Sequence, residues 1–319
     1  MLDYKIYKSF DEINSLQELF TDDVPTSQLN RFFGDFFWIT TYSKVFVKDE
    51  LFIVASYKDN SLAAIIPFQK KGTTLTSLCD HKTDYNTIFI GKYFELTSLL
   101  DFLHNQGINE IYLKSIVKEH EVYIPTDIQK QIVFCPIVPI KAKMKEDEKF
   151  KTKLIAKKVM VEKIGELEHE IVSTNSDSTN QFLLLHSNWW KSKAQTGLYS
   201  SNSDIDFLNQ ILVNFGLKQQ AFYSVFYVNK EIASMMLLFK LNENRIGYYF
   251  GGHNLKFKKF QIGFLHIESL IKHLTHNSQY LYFDFLRGDQ PHKYQFGASR
   301  DNYVFNCRFS TNTKNLFNA

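Results

Sequence analysis

Four charged or titratable side chains lie within seven residues near the C-terminal end of the chain: Arg287, Asp289, His292 and Lys293. They follow a short apolar run, residues 280–285, that predicts a buried strand. Folds of the α/β class often place their chemistry at the end of such a strand, because the strand is rigid and the loop after it faces a crevice. The segment therefore predicts a catalytic or binding loop. The alternative is a solvated turn whose charges have no chemical role.

This segment resembles the signature D-F-x-R-G-D-x-x-Y-K-x-x-[WF]-G of the GNAT-superfamily acetyltransferases named after cellulose-biosynthesis proteins, which are related to the Fem-type aminoacyl transferases. The residues that match as they stand are Asp284, Phe285, Arg287, Gly288, Asp289, Lys293, Phe296 and Gly297. His292 stands where the family usually has tyrosine, and upstream His186 and Trp190 resemble the family's H-x-x-x-W element. The resemblance implies an acyl-CoA-dependent N-acyltransferase with a tandem of two GNAT-like units, of a family often tied to cell-surface polysaccharide.

The resemblance and the loop position together predict that Asp289 and Lys293 act on the acceptor, as a base or as an electrostatic clamp. Arg287 is suited to bind a carboxylate or a phosphate through its planar fork of donors. His186 is a further catalytic candidate, and it shares a helical face with Trp190 because the two lie four residues apart. Two alternatives stay open, namely a structural salt-bridge network in the loop and plain core packing for His186.

An enzyme that uses acyl-CoA must hold a pyrophosphate, and unsatisfied N–H groups at a helix N-terminus favour anions. A lysine-rich loop leads directly into a predicted helix near residue 263. The candidate phosphate contacts are Lys258, Lys259, Gln261 and Gly263. Gly263 fits the first glycine of the superfamily pattern [QR]-x-x-G-x-[GA], whereas Phe260 and Leu265 depart from it. The alternative is a solvated loop before an ordinary helix.

The pantetheine arm needs two neighbouring strands that part and leave backbone N–H and C=O groups for its amides. The predicted strands at 245–250 and 280–285 fit this need, with the helix from residue 263 as the crossover between them. Tyr249 and Gly251 are the candidate contacts at that edge, because glycine permits close approach to the backbone.

Composition is that of an ordinary globular protein, with 319 residues of which 44% are hydrophobic and 22% charged. A net charge of +3 is too small to indicate nucleic-acid binding. No apolar run is long enough to span a membrane, and the N-terminus lacks the features of a secretory signal. The cysteines Cys79, Cys135 and Cys307 lie far apart, without metal-like spacing. These features predict reduced, buried cysteines, no metal and a cytoplasmic location.

Hydrophobic patterning predicts the same order of elements twice: strand, turn, strand, helix, strand. In the first half the predicted strands are 51–58, 62–69, 73–78 and 109–116, with a helix at 93–103. In the second half the predicted strands are 222–228, 232–240, 245–250 and 280–285, with one helix at 204–215, capped by Ser203 and ended by Gly216, and another from residue 263. The predicted fold is therefore α/β, with tandem GNAT-like mixed sheets flanked by helices. We expect a non-catalytic, substrate-covering domain at 1–140, a lysine-rich connecting helix at 141–170 and an acyltransferase domain at 171–319.

The sequence thus predicts transfer of an acyl group from acetyl-CoA or another acyl-CoA to an amine. A small molecule is the expected acceptor, such as an amino sugar or a cell-envelope precursor. One alternative is a Fem-type transferase that uses aminoacyl-tRNA, whose RNA the lysine-rich segment 141–163 would contact. The other is a catalytically silent module that keeps the fold but has lost CoA. Nucleic acid is an expected partner only under the first alternative, and the oligomeric state is open.

Overall fold

The structure is a computed structural model that describes residues 2–13, 32–59, 61–78, 82–86, 89–90, 94–141 and 148–312. The chain divides into two compact units, each with its own sheet. The first unit comprises Met1–Phe134 together with Asn302–Ala319, and the second comprises Cys135–Asp301.

The first unit is a mixed sheet with helices packed on it. Its helices are α1 (Phe36–Phe46) and α2 (Leu96–Asn105). Its strands are β1 (Asp3–Tyr7), β2 (Glu50–Lys58), β3 (Ser61–Lys71), β4 (Thr74–Ser77), β5 (Phe89–Ile90), β6 (Glu110–Val117), β7 (Lys130–Phe134) and, from the far end of the chain, β14 (Tyr303–Ser310). The strand order is β1-β2-β3-β4-β6-β14-β7, with β5 paired to β3, and only β4 and β6 run parallel among these described ladders. Leucines of α2 and apolar residues of the central strands form its core.

The second unit has the same plan. Its helices are α3 (Glu148–Glu162), α4 (Ser176–Lys191), α5 (Asn202–Leu217), α6 (Ile262–Asn277) and α7 (Pro291–Gln295). Its strands are β8 (Ile137–Pro139), β9 (Leu167–Ser173), β10 (Ala221–Val228), β11 (Glu231–Asn242), β12 (Arg245–His253) and β13 (Tyr282–Asp284). The strand order is β8-β13-β12-β11-β10-β9, and β12 and β13 run parallel. Helices α3 and α6 share the core on one face of this sheet, whereas α4 packs on β11 and β12 from the other.

The two units repeat one topology, as the hydrophobic patterning predicts. The order β2-β3-β4-α2-β6 in the first unit corresponds to β10-β11-β12-α6-β13 in the second. In each unit the helix is the crossover between two parallel neighbours. The fold is thus α/β with two mixed sheets flanked by helices, in agreement with the sequence prediction.

The division of the chain differs from the predicted boundaries at two places. Strand β14 lies between β6 and β7 in the first unit, whereas the predicted boundary puts it in the second. Helix α3 is not only a connector, because Phe150, Leu154 and Val161 are buried in the core of the second unit. Exposed lysines lie between these buried positions, so the sequence of α3 does not show a clear apolar face.

Two local predictions also have definite outcomes. Helix α5 begins earlier than predicted, because Ser201 and Asp204 form a reciprocal capping box, so Ser203 is not the cap. Gly216 lies inside the helix, which ends at Leu217. Cys135 and Cys307 are buried as predicted, and burial raises the pKa of the Cys307 thiol to about 12. Cys79 lies outside the described residues.

Candidate active site

Strands β12 and β13 part beside the loop that the sequence analysis singles out. Their parallel ladder runs from Arg245 opposite Tyr282 to Gly247 opposite Asp284. Strand β12 continues for six more residues to His253, and in the described structure this extension pairs only with β11. The prediction that these two strands part is therefore confirmed. The backbone edge of residues 248–253 is where a ligand's amides could take the place of a strand.

Asp284 fixes the start of the loop that follows β13. Its side chain is fully buried, and Oδ2 accepts a hydrogen bond from Nη1 of Arg245 at 3.2 Å. The other oxygen, Oδ1, accepts from the backbone N–H of Leu286 at 2.7 Å. Because both oxygens are engaged within the fold, Asp284 orients the loop and is not a proton acceptor for a substrate.

Lys293 holds the same loop from inside. The side chain is 6% exposed, and Nζ donates to the carbonyl oxygens of Phe285, Leu286, Arg287 and Gly288 at 3.0 to 3.3 Å. Four carbonyls around one ammonium require a tightly curled backbone, and Leu286 and Gly288 have φ values of 56° and 120°. This geometry differs from the predicted role of Lys293 on an acceptor, because its ammonium is already surrounded by backbone.

Asp289 is the carboxylate of this loop that faces solvent. Its side chain is 42% exposed and forms an ion pair with Nη2 of Arg300 at 3.2 Å. The hydroxyl of Tyr294 also donates to it, and burial together with Asp289 raises the pKa of that hydroxyl. Arg287 is half-buried in the same loop. Asp289 is thus the predicted site residue that the loop presents to solvent.

His186 lies in the core between α4 and β12. It is fully buried, its ring is stacked on Phe182 at 5.6 Å, and Nδ1 lies 3.0 Å from the carbonyl oxygen of Gly251. That carbonyl can only accept, so Nδ1 carries the hydrogen. The shared face with Trp190 is confirmed, since the two rings are 6.1 Å apart. The arrangement fits the packing alternative better than a catalytic role.

Gly252 of β12 allows helix α4 to pack closely on the sheet. A Cβ atom added to Gly252 would lie 2.4 Å from the backbone nitrogen of His186 on α4. The ring of Tyr249 is buried against Phe239 and Phe250, with ring centroids 4.9 and 4.6 Å away. Any contact of Tyr249 or Gly251 with a ligand would therefore be made by backbone and not by side chain.

The lysine-rich loop forms one 3-10 turn, Leu255–Phe260, before α6. Gln261 joins the two with a left-handed backbone, φ 56°, and its own N–H donates to the carbonyl oxygen of Lys258. Phe260 and Leu265, which depart from the superfamily pattern, are both buried in the core. Their side chains therefore do not occupy the space at the start of the helix. Lys258 and Lys259 are exposed there.

The structure adds a lysine that sequence analysis missed. The Nζ atom of Lys193 lies 4.4 Å from the ring centroid of Trp189, and Nζ of Lys258 lies 6.0 Å from the same centroid. Partial burial and then the charge of Lys258 lower the pKa of Lys193. Two like charges beside one ring form a local excess of positive charge. The signal in the sequence is the spacing of four residues between Trp189 and Lys193 at the end of α4.

His253 lies at the same corner, at the last position of β12. A Cβ atom added to Gly263 would lie 2.8 Å from Nε2 of His253, so this glycine is needed to seat the ring against the first turn of α6. The edge of the ring meets Trp189 at 4.7 Å. Burial, then the charges of Lys193 and His186, lower the pKa of His253 to about 4.

His292 connects this corner to the signature loop. Its ring stacks on Phe264, in the first turn of α6, with centroids 5.5 Å apart. Burial, then Lys293 and Lys193, lower its pKa. The second unit therefore brings together the parted strands, the start of α6, two lysines and the signature loop. His186 is packed away beneath them.

The corresponding place in the first unit is filled by its own chain. Strand β4 meets β6 only over residues 74–76, and beyond them Oγ of Ser77 accepts from the N–H of Lys114 at 2.9 Å. Asn86 lies in the gap, where its side chain donates to the carbonyl oxygens of Leu78 and Lys114. In the second unit the ladder partner of residues 248–253 is β11, and His186 of α4 donates to the carbonyl oxygen of Gly251.

The described residues show neither a cluster of metal-ligating side chains nor a membrane-spanning helix. They hold no group of three or more His, Cys, Asp or Glu side chains placed to bind a metal ion. None of the helices in the described ranges has both the length and the apolar character needed to cross a membrane.

Comparison with known proteins agrees with this architecture. A family model described as the acetyltransferase (GNAT) domain matches residues 148–294, which lie within the second unit. No curated protein matches the sequence.

Among solved structures, FemX is 11% identical with a TM-score of 0.58, and the match covers 99% of each chain. A tandem GNAT protein from the clavulanic acid biosynthesis pathway is 7% identical with a TM-score of 0.51, covering 98% of this chain and 99% of that one. L-PGS from Bacillus licheniformis is 13% identical with a TM-score of 0.55, covering 92% and 94%. The fold of this chain is the tandem GNAT-like fold, and its second unit carries the match to a GNAT acetyltransferase domain.

Proposed function

We propose that the second unit transfers an acyl group from an acyl-CoA to an amine acceptor. The observation that carries this proposal is the parting of β12 and β13 directly beside the basic start of α6. Such a corner offers an extended backbone edge for the pantetheine amides and positive charge for the phosphates. The match of residues 148–294 to a GNAT acetyltransferase domain supports the same reaction class.

In this proposal the phosphates of CoA lie between the side chains of Lys193 and Lys258. Charge-assisted hydrogen bonds from lysine to phosphate are stronger than neutral ones. The backbone N–H groups of Ile262 and Gly263 at the start of α6 add further donors, as helix N-termini commonly do for anions. The side chain of Gln261, which precedes them, is a further candidate contact. Lys259 is exposed and contacts the phosphates from the solvent side. Its backbone is held by Lys157, whose Nζ donates to the Lys259 carbonyl oxygen at 3.1 Å.

The pantetheine arm then lies along residues 248–253, contacting the backbone of Tyr249 and Gly251. The arm leads from the phosphates at the His253 end of β12 toward residue 248, so the thioester lies where β12 and β13 part, beside the signature loop. Asp289 and Arg287 of that loop bind the acceptor, and Lys293 keeps the loop in shape. The acceptor amine attacks the thioester carbonyl, the C–S bond breaks, and CoA leaves.

Titration with acetyl-CoA tests the proposal. A ligand that binds only the folded state raises the melting midpoint, by the equivalent of about 2.7 kcal/mol at a hundredfold excess over Kd. The double variant Lys193→Glu/Lys258→Glu should weaken binding at least about 100-fold, since hydrogen bonds to charged groups contribute about 1.5–3 kcal/mol each. The control Lys240→Glu/Lys272→Glu makes the same change in net charge at two exposed ion pairs elsewhere.

Unchanged affinity in the folded Lys193→Glu/Lys258→Glu protein would remove this corner from the CoA site. Absence of any midpoint rise in the wild-type protein would favour the silent module. A rise with aminoacyl-tRNA and none with acetyl-CoA would favour the Fem-type reaction. An amino sugar or cell-envelope precursor as acceptor rests on the family resemblance of the signature loop.

A further inference from the structure

Helix α3 and the residue after it hold the excess positive charge of the chain. Residues 148–163 contain six lysines and two glutamates, a net charge of +4, whereas the full sequence has a net charge of +3. Glu162 is paired with Lys158 at 3.7 Å, and Glu148 lies at the start of the helix. The rest of the protein is therefore close to neutral. Charge of one sign that is concentrated on a single helix indicates an anionic partner.

The same helix has apolar side chains on its outward face, in addition to the row that packs into the core. Ile155, Val159 and Met160 lie on the helix and Ile164 lies just after it, and each of the four is between 46% and 52% exposed. A spacing of four residues places Ile155 beside Val159 and Met160 beside Ile164. Single exposed apolar residues are common, but a contiguous group marks an interaction surface. We call this group the outward stripe of α3.

Lysines border the outward stripe on both sides. A period of about 3.6 residues per turn places Lys153 next to Met160 on one side and Lys151 beyond Ile155 on the other. Lys163 follows at the C-terminal end of the helix, and all three lysines are exposed. Lysine side chains lay their methylene stems along apolar surface while their ammonium groups reach past it. The outward face of α3 thus combines an apolar centre with a positive border.

This face is part of a fixed structure. Helix α3 packs on α6 and on the turn Leu255–Phe260, and its inner row belongs to the core of the second unit. The Nζ atom of Lys157 also ties it to that turn, by the hydrogen bond to the carbonyl oxygen of Lys259. Folding of the second unit therefore presents the outward stripe already formed, and binding to it requires no ordering of a helix.

An anionic membrane surface is the partner whose chemistry matches both parts of this face. Its headgroups attract ammonium groups, and the boundary of its acyl chains takes up aliphatic side chains. A protein partner fits less well, since lysine is depleted in protein interfaces. RNA also fits less well, because unpaired bases stack on aromatic or arginine side chains. Residues 148–164 contain no arginine and one aromatic residue, Phe150, which is buried.

We propose that the outward face of α3 binds the second unit to a membrane that contains anionic lipid, with α3 lying along the surface. Ile155, Val159 and Met160 then enter the boundary between headgroups and acyl chains, and the bordering lysines contact the phosphates of the headgroups. The helix lies on the membrane and does not span it. This attachment goes beyond acyl transfer and does not depend on it, so titration with acetyl-CoA in the absence of lipid tests the transfer proposal separately.

Flotation of the full chain with lipid vesicles tests the proposal. The protein should bind vesicles of phosphatidylcholine mixed with phosphatidylglycerol, and should bind vesicles of phosphatidylcholine alone much more weakly. Raising the salt from about 0.1 M to about 1 M should release it, because the screening length falls from about 10 Å to about 3 Å. Equal binding to the two kinds of vesicle, or no binding to either, would overturn the proposal.

Reversal of two border charges tests the role of the lysines. Each lysine near an anionic surface contributes about fivefold to binding, so Lys153→Glu/Lys163→Glu should bind the mixed vesicles at least about 25-fold more weakly. The control Lys48→Glu/Lys71→Glu makes the same change in net charge at two exposed lysines of the first unit. If the two double variants lose the same affinity, lipid responds to the overall charge and not to α3, and the proposal fails.

A change that leaves the charge untouched tests the outward stripe. Ile155→Ser/Val159→Ser should weaken binding to the mixed vesicles at least about tenfold, because two aliphatic side chains no longer leave water. The matched control is Val213→Ser/Leu217→Ser on α5, where two exposed apolar residues also lie four apart, in a helix with two aspartates and no lysine. Equal vesicle binding by these two double variants would contradict insertion of the stripe and overturn the proposal.

A tryptophan in the outward stripe reports the contact itself. The fluorescence of Met160→Trp should shift to the blue with mixed vesicles and be quenched by brominated acyl chains, whereas Leu217→Trp should show neither change. No quenching of Met160→Trp in vesicle-bound protein would overturn the proposal. Binding of bulk tRNA that is lost in Lys153→Glu/Lys163→Glu, with no binding to vesicles, would assign the face to RNA instead.

Discussion

Lys293 shows at the scale of one residue how a charged side chain can serve the backbone. Its ammonium is enclosed by four carbonyl oxygens, and this contact keeps the loop after β13 curled. Asp289 lies four residues earlier on the outside of the same loop, paired with an exposed arginine. Both residues match the same sequence pattern, but Lys293 stabilises the loop from inside, whereas Asp289 is exposed to solvent.

Lys293→Met should therefore reduce mainly the stability of the protein, and Asp289→Asn should reduce mainly its turnover. Leaving buried acceptors without a donor costs about 1–3 kcal/mol, so Lys293→Met should lower the free energy of unfolding by at least that amount. Asp289→Asn weakens an exposed ion pair worth under about 1 kcal/mol but should lower turnover on the acceptor. Denaturant unfolding and turnover per folded molecule measure the two effects. A Lys293→Met protein that is as stable as the wild type but turns over little substrate would show that Lys293 is catalytic and not structural.

The buried histidines give the stability of the second unit a pH dependence with a definite sign. The pKa of His253 and of His169 is about 4 in the folded protein, below about 6.5 for an unfolded chain. As pH falls from about 6.5 to 4, the unfolded chain takes up protons that the folded one does not. The free energy of unfolding should fall over this window, by at most about 1.4 kcal/mol per pH unit for each ring.

Denaturant unfolding at several pH values measures this slope. His266 is a third buried histidine of the second unit, and burial lowers its pKa as well. His266→Phe should therefore reduce the slope by about one proton. A slope that is the same in both proteins would show that His266 is not the group that resists protonation.

The contact of α4 with β12 explains, at the scale of an element, why two adjacent glycines occur within a strand. A Cβ atom on Gly252 would lie 2.4 Å from the backbone of α4, whereas one on Gly251 would meet the hydroxyl of Tyr248 at 2.6 Å. A backbone cannot move without moving the helix, but the end of a tyrosine side chain can turn away. The close packing of α4 on β12 therefore requires glycine at position 252, whereas a side chain at position 251 displaces only the end of Tyr248.

Gly252→Ala should cost more stability than Gly251→Ala. Overpacking a well-packed interior typically costs about 1–3 kcal/mol, and we expect Gly252→Ala at the upper end and Gly251→Ala at the lower end. Thermal and denaturant unfolding of the two variants, made in parallel, measure the difference. Equal losses would mean that α4 can shift on the sheet.

Most elements of this fold could be predicted from the sequence, because their signals are local. Alternation of apolar residues locates β10, β11 and β12 to within a few residues, and the start of α6 follows from the helical pattern near Gly263. The sequence predicts the cap of α5 at Ser203, two residues after the actual cap. Several polar side chains precede the helix, and only Ser201 exchanges capping hydrogen bonds with Asp204. Sequence reasoning does not find the hydrogen-bonded chain of His253, Ser234, His266, Ser224 and His169, because its members come from five elements and touch only when the sheet has formed.

The whole molecule contains one topology twice, with different contents at the corresponding corner. In the second unit β12 extends beyond its parallel partner, and in the first unit Ser77 and Asn86 bridge the gap between β4 and β6. Sequence patterning finds the repeat but not this difference, since Asn86 is an ordinary turn residue until its partners are known. The prediction that the first half binds no CoA stays a prediction, with a physical reason in its support.

Calorimetry should accordingly give one acetyl-CoA per chain. Because Asn86 donates to both sides of the gap, Asn86→Ala should lower stability without creating a second site. The binding enthalpy of the remaining site should be unchanged in that variant. A second equivalent in the wild-type protein would show that a ligand can displace Asn86.

The position of β14 has a consequence for how the protein is made. Its residues leave the ribosome after the whole of the second unit, yet they fill the space between β6 and β7 in the sheet that begins with β1. The second unit is continuous along the chain and can complete its sheet as soon as it has emerged. Synthesis from the N-terminus usually lets the first domain fold first. Here that order is reversed, because β6 and β7 stay apart until β14 has been made.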